Sequence, residues 1–278
     1  MVASSPSAEG QDENFEFTDQ HFETIREVVT STIGVQLPDI KRQLAYSRFA
    51  KRMRKIGVSN FDQYIALLKD PTSGEMDALP SIITTNMTSF FRERHHFDYL
   101  AQTVLPALRD QKRIRIWCCA SSTGEEPYSI ASVVMDVLGG PSRTIRNDVK
   151  ILATDIDTQV LDHAKAGIYQ EAKVPADFRS RWTQKRPDGS YEIVPELRQL
   201  LTFKRLNLLG DWPMKGPFDV IFNRNVVIYF DLETKSRIFQ RQSDLQRPGD
   251  TLMIGHSEQL TGPADRYERL GHTIYKRL

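Results

Sequence analysis

The stretch Arg113 to Tyr128 constrains the chain most. Its first half alternates, with Ile114, Ile116 and Cys118 to one side and Arg113, Arg115 and Trp117 to the other. That pattern predicts a strand running into a core. Its second half is small and polar, with Gly124 at the bend. Pro127 suits the first turn of a helix, and Ser129 to Leu138 carries helical apolar spacing. Strand, tight turn and helix form the opening unit of a nucleotide-binding α/β sheet, whose ligands sit at the carboxyl ends of the strands. The turn has one glycine, and Glu125 and Glu126 stand where a pyrophosphate would want bare N–H groups. The pocket is therefore expected to take a ligand with positive charge or donor groups. S-adenosylmethionine, with its sulfonium, α-amino group and ribose diol, fits that description.

The α/β alternation continues on both sides. A helix through Tyr99, Leu100, Val104, Leu105 and Leu108 precedes the first strand. Val149 to Thr154 is a second strand, ending at Asp155. An acid there reads ribose hydroxyls or caps the next helix, a task Asp157 can also perform. Phe203 to Leu208 is expected as a third core strand, with Asn207 at its end. Val220 to Phe222 is a fourth, with Asn223, Arg224 and Asn225 at its carboxyl end. Tyr229 either packs into the core or faces the site. Asp231 caps a helix, Thr251 to Gly255 is another strand, and 267–270 with 273–276 close the sheet. Between Gly167 and Thr202 the alternation breaks. Strand candidates Ser190 to Val194 and Leu200 to Lys204, with a Pro187–Gly189 turn, predict a small β insertion.

The N-terminal part reads as helices. Asp39 to Ile56 places Tyr46, Phe49, Met53 and Ile56 on one face and Lys41, Arg48, Arg52 and Lys55 on the other, with Lys51 beside them. Five cations with no acid among them form either a solvated face or a docking face for an acidic helix or a nucleic acid. Asp70 to Pro80 reads as a linker. The polar residues Asn86, Thr88 and Arg92 alternate with bulky ones, as a helix start or as a strap over the nucleotide pocket. The expected organisation is a disordered tail over 1–14, a helical domain over 15–75, a linker over 76–95 and an α/β domain over 96–278. The β insertion falls at about 170–203.

Composition excludes several classes. A net charge of +1 over 278 residues gives no whole-molecule attraction to nucleic acid. No run is apolar enough to span a bilayer. Cys118 and Cys119 are neighbours in a strand, face opposite sides and read as buried thiols of a cytoplasmic protein. His95 and His96 read as structural or surface residues, and no metal site is expected.

Five motifs together resemble the CheR family of chemotaxis receptor methyltransferases. They are Thr85–Glu93, Ser122–Ser129, Ala153–Asp157, Phe222–Phe230 and Gly255–Glu258. The similarity runs from about Thr18 to the C-terminus. It implies a class I methyltransferase fold, a Rossmann-like mixed sheet with an N-terminal all-α domain and a small antiparallel insertion. It also implies an enzyme that esterifies receptor glutamates with S-adenosylmethionine, leaving S-adenosylhomocysteine. By resemblance, Asn86, Thr88 and Arg92 contact the cofactor, Arg92 at the methionine carboxylate. Glu126, with Glu125 beside it, holds the amino group, and Asp155 the ribose. Asn207 and Leu208 lie on the adenine side, and Asn223 and Arg224 line the pocket. Tyr229 lies near the transferred methyl, which makes Arg92 and Tyr229 the catalytic pair. The basic helix (Lys41, Arg48, Lys51, Arg52, Lys55) then docks on cytoplasmic receptor helices. The implied protein is a cytoplasmic monomer recruited to receptor arrays, neither inserted in the membrane nor bound to nucleic acid. The hairpin around Lys185 to Tyr191 is shorter than in members that bind a receptor's C-terminal pentapeptide, which argues against that tether.

A glutamate acceptor is already ionised at pH 7, so the reaction needs alignment more than a general base. Two rivals are a nucleic-acid methyltransferase and a non-catalytic cofactor-binding module. Asn225-Val226-Val227-Ile228 lacks the prolines of the base-modifying motif, and intact Arg92, Glu126, Asp155 and Tyr229 argue against decay.

Overall fold

The computed structural model describes residues 14–278. The tail expected over 1–14 lies, Asn14 aside, outside the described residues. The chain forms two compact units. One holds the described residues up to Thr30 together with Leu37–Ile83, the other Ser31–Gln36 together with Thr84–Leu278.

Helix α1 (Asp19–Ile33), in the first unit up to Thr30, begins where the Thr18 hydroxyl accepts from the His21 N–H. Phe22, Ile25 and Val29 form its buried stripe. Helix α2 (Arg42–Ile56) follows a 3-10 turn at Asp39–Lys41 and buries Ala45, Phe49, Ala50 and Met53. It ends at Gly57, whose φ of 71° is the left-handed cap conformation. Helix α3 (Phe61–Lys69) is capped by Asn60, which accepts from Gln63. Helix α4 (Glu75–Ile83) occupies much of the stretch read as a linker. Pro80 there marked a break in the sequence, but burial of Leu79, Pro80 and Ile83 sustains a short helix across it.

The expectation of five open cations along α2 also needs correcting. Arg52 donates through Nε (3.0 Å) and Nη2 (2.5 Å) to Glu75, a buried acid that also accepts from Tyr64. Arg48 donates to the Ile82 and Ile83 carbonyls at the end of α4. The cations bind these groups because a buried carboxylate and the bare carbonyls of a helix terminus need donors. Lys51 and Lys55 remain exposed.

The second unit is built on a seven-stranded sheet. Its strands are β1 (Arg113–Cys119), β2 (Asp148–Asp155), β6 (Leu201–Arg205), β7 (Val220–Asn223), β8 (Thr251–Ile254), β9 (Tyr267–Gly271) and β10 (Ile274–Arg277). Their order is β6-β2-β1-β7-β8-β10-β9. The first five are parallel, and β10 and β9 run antiparallel. Strand order reverses at β1, so a crevice opens at the carboxyl ends of β1 and β7. Ile114, Ile116 and Cys118 fill the core on one face of the sheet, Trp117 and Cys119 that on the other. Both cysteines are buried free thiols.

The run 95–108 comprises α5 (His95–Tyr99), a π turn and α6 (Leu105–Leu108). Helices α7 (Glu125–Val134), α8 (Thr158–Ala166) and α11 (Leu232–Asp244) complete the main layers, with Asp157 and Asp231 as the side-chain caps of α8 and α11. The insertion carries α9 (Ala176–Trp182), α10 (Pro195–Arg198) and a second sheet of order β3-β5-β4. Its strands are β3 (Ile168–Tyr169), β4 (Thr183–Lys185) and β5 (Tyr191–Ile193). The Asp188–Gly189 turn joins β4 to β5, so the candidate 200–204 is not part of this hairpin. It pairs with β2 as the third core strand, about two residues earlier than expected. Asn207 is the reason: it already begins a turn, its carbonyl accepting from Gly210 and its side chain from Leu209.

Candidate active site

The loop after β1 is tightly wound. Ala120 and Ser122 have φ of 55° and 48°, and Gly124 has φ 100°. A Cβ on Gly124 would meet the Tyr169 hydroxyl at 2.7 Å and the Ala164 Cβ at 2.9 Å. The loop is fastened to β2: Ser121 donates to the Thr154 carbonyl and the Ser122 N–H to Asp155 Oδ2, each at 2.8 Å. Ser122 Oγ donates to the Asn86 carbonyl (3.0 Å) and Asn86 Nδ2 to Asp157 (2.9 Å), which draws the 84–92 segment over the same ground. Arg92 curls that segment by donating to the Met87 carbonyl at 3.0 Å.

These elements frame a solvent-open cleft whose empty space, open solvent included, is about 920 Å³. Asn86, Thr88, Arg92, Glu126, Asp155, Asn207, Leu208, Arg224 and Tyr229 all line it. Glu125 and Asn223 do not. Glu125 is buried and accepts from Thr123 at 2.6 Å, while Asn223 points its amide to Gln242 at 3.0 Å. Both are neighbours of a lining residue, and spacing alone does not say which of two adjacent side chains turns outward. Asn207 lines the cleft, but its amide is engaged with Thr32 and Leu209.

Four features were not predicted. The 31–36 segment contributes Ile33 and Val35 to the apolar wall. Asn225 lines the cleft in the left-handed region, φ 58°. Glu258 accepts from the N–H groups of Gly255, Asn225, Val226 and Val227, fixing the loop after β7. Glu93 joins His256, Asn225 and Arg224. The two acids were visible only as the last letters of their motifs.

The charges are interlocked. Glu126 accepts from the Cys118 thiol at 3.2 Å and from Arg224 at 2.6 Å. Arg224, fully buried, donates also to the Arg92 carbonyl and lies 3.4 Å from Glu93. Burial opposes ionisation of Glu93, but His256, Arg224 and Asn225 outweigh it and hold the carboxyl at about 2. Burial pushes Asp155 up to about 6, against the lowering effect of its backbone N–H donors. Burial likewise raises Glu258 despite four N–H donors, and keeps Cys118 a thiol.

Residues 86–276 match the family described as CheR methyltransferase, SAM binding domain, and residues 20–84 its all-alpha domain. The chain belongs to the CheR methyltransferase family. It is 39% identical over 282 residues to chemotaxis protein methyltransferase 2 of Pseudomonas aeruginosa, covering 99% of each chain. It is 39% identical over 274 residues to the chemotaxis protein methyltransferase of Escherichia coli, covering 95% of this chain and 92% of that one. As a CheR methyltransferase it is an S-adenosylmethionine-dependent enzyme, and the cleft suits that cofactor. Arg92 offers a cation for a carboxylate, Glu126 and Asp155 offer acceptors for an ammonium and a diol, and Ile156, Leu206, Leu208 and Phe230 offer an apolar slot for a flat ring. Among the described residues, no helix is long and apolar enough to cross a membrane.

Proposed function

We propose that the protein methylates glutamate side chains of chemoreceptors, giving glutamate methyl esters in the adaptation branch of a chemosensory pathway. The near full-length similarity to chemotaxis protein methyltransferases carries this reading. When bound, S-adenosylmethionine supplies an electrophilic methyl on a sulfonium. Arg92 holds its carboxylate, the Glu126–Arg224 pair orients its amino group, Asp155 takes the ribose hydroxyls, and Leu208 with Phe230 flanks the adenine. Asn86 and Thr88 position the segment that carries Arg92. Tyr229, on the 3-10 turn Val227–Tyr229 after β7, borders the acceptor's approach. The acceptor carboxylate is ionised at pH 7, so the chain aligns and desolvates it without removing a proton. The exposed Lys51 and Lys55 on α2 supply the cations that meet acidic receptor helices.

The test uses receptor-enriched membranes and cofactor labelled in the methyl group. Label released as methanol by mild base identifies an ester. Base-stable label, or cofactor binding with no transfer to receptors, would refute the assignment.

A further inference from the structure

We propose that Glu93, His95 and His96, with His256 beside them, form an inhibitory site for a divalent transition-metal ion of the zinc class, adjacent to the methyl-transfer cleft. None of the four lines the cleft. One ligand atom from each of Glu93, His95 and His96 lies within 4.8 Å of the other two.

His96 supplies the decisive observation. Its Nε2 lies 3.1 Å from Thr273 Oγ1 and 3.2 Å from the His272 carbonyl. The Thr273 hydroxyl gives its own proton to that carbonyl, so both oxygens act as acceptors towards the ring. The ring proton therefore sits on Nε2, and Nδ1 carries a bare lone pair. Among the described residues Nδ1 finds no hydrogen-bond partner; it belongs to a side chain of 0% exposure and faces Glu93 Oε2 at 3.6 Å. Two acceptors thus confront each other with no proton between them. A tetrahedral site with bonds of about 2.0–2.1 Å has edges of roughly 3.3 Å, close to this separation. Imidazole and carboxylate together select zinc, cobalt or nickel over magnesium or calcium. His256 Nδ1, 2.9 Å from Glu93 Oε1 on a side chain 66% exposed, donates to that oxygen and becomes a further ligand on the solvent side when the metal displaces its proton.

Inhibition follows from what Oε2 already does. The same oxygen lies 3.4 Å from Arg224 and accepts from the His256 N–H at 3.1 Å. A dication there competes with Arg224 for the carboxylate and repels the guanidinium. Arg224 in turn holds Glu126 in the cleft wall. Metal at Glu93 therefore loosens the wall that the cofactor meets.

The experiment uses the full chain, freed of metal and titrated with Co²⁺. Visible d–d absorption reports a tetrahedral site independently of activity. One ion per chain is expected, with receptor methylation falling at the same half-saturation as the absorbance rises. His95→Gln should keep wild-type methylation without metal and need at least tenfold more Co²⁺ for both effects. Absent bands, a titration unchanged in His95→Gln, or full methylation at saturating Co²⁺ would each overturn the proposal. The metal-free rate separately measures the methyltransferase reading itself.

Discussion

At the residue scale the cleft works through a few charges whose partners are now explicit. Arg92→Ala should weaken S-adenosylmethionine about tenfold or more, since a charge-assisted hydrogen bond is worth roughly 1.5–3 kcal/mol. Calorimetry reads this directly, and an unchanged affinity would remove Arg92 from the site. Asp155 adds a pH signature. Its carboxyl is held up at about 6, and ribose hydroxyls donate only to the ionised form. Ionised Asp155 prevails at pH 7 and is lost as pH falls through 6. Affinity should therefore drop roughly tenfold between pH 7 and pH 5. Asp155→Asn should flatten that profile, and an equally steep profile in the variant would assign it to another group. Tyr229→Phe should lower turnover more than affinity if its hydroxyl borders the acceptor's approach, as proposed, and not the cofactor's charged ends. Weakened binding with intact turnover would make it a wall residue. That Arg92 and Asp155 line the cleft was legible in the sequence because each combines a chemical type with a place at a strand end or in the strap. The Glu125/Glu126 pair was not, since the two differ only in which way the first turn of α7 rotates them.

At the scale of elements, helix α2 and the loop after β7 carry the next two predictions. Lys51→Glu with Lys55→Glu should leave folding and cofactor affinity unchanged, because exposed charges contribute little to stability. The double variant should reduce receptor methylation most at low salt, where the wild-type rate is highest. Equal rates at low salt would make the stripe a solvated face. Arg52 is unsuitable for this test: Arg52→Glu would set a second carboxylate against the buried Glu75 and cost roughly 3 kcal/mol or more. That difference between neighbouring cations exists only because α4 packs on α2, and Pro80 had hidden α4. Glu258 governs the other element. Its carboxylate collects three N–H groups of the turn that leads from Arg224 to Tyr229 and a fourth from Gly255. Glu258→Ala should lower stability by about 2–4 kcal/mol in denaturant melts and reduce turnover, because those donors lose a buried acceptor together. Wild-type stability and rate would show that water replaces it.

For the whole molecule, the informative feature is that 31–36 belongs to the catalytic unit although it lies within the N-terminal stretch. Gln36 donates to the Tyr229 carbonyl at 2.9 Å, and the Thr32 carbonyl accepts from Asn207 at 2.8 Å. Gly34, with φ 75°, is in the left-handed region, and a Cβ there would crowd the Leu209 side chain at 2.9 Å and the Phe230 ring at 3.0 Å. Gly34→Ala should displace Ile33 and Val35 from the cleft wall and weaken cofactor binding several-fold while the sheet stays folded. An affinity equal to wild type, measured by calorimetry, would release this segment from the site. The amino-acid sequence by itself determined the α/β class, the strand–turn–helix at Arg113 to Tyr128, the acid after β2 and the family. Those follow from local periodicity, turn chemistry and residues fixed to strand ends. Only the tertiary structure decided which of two adjacent polar residues faces the cleft, that 201–205 joins the main sheet and that Arg48 and Arg52 turn inward. It alone drew Glu93, Glu258 and 31–36 to the site, because pairings between residues far apart in the chain depend on packing, and packing leaves no period in the chain.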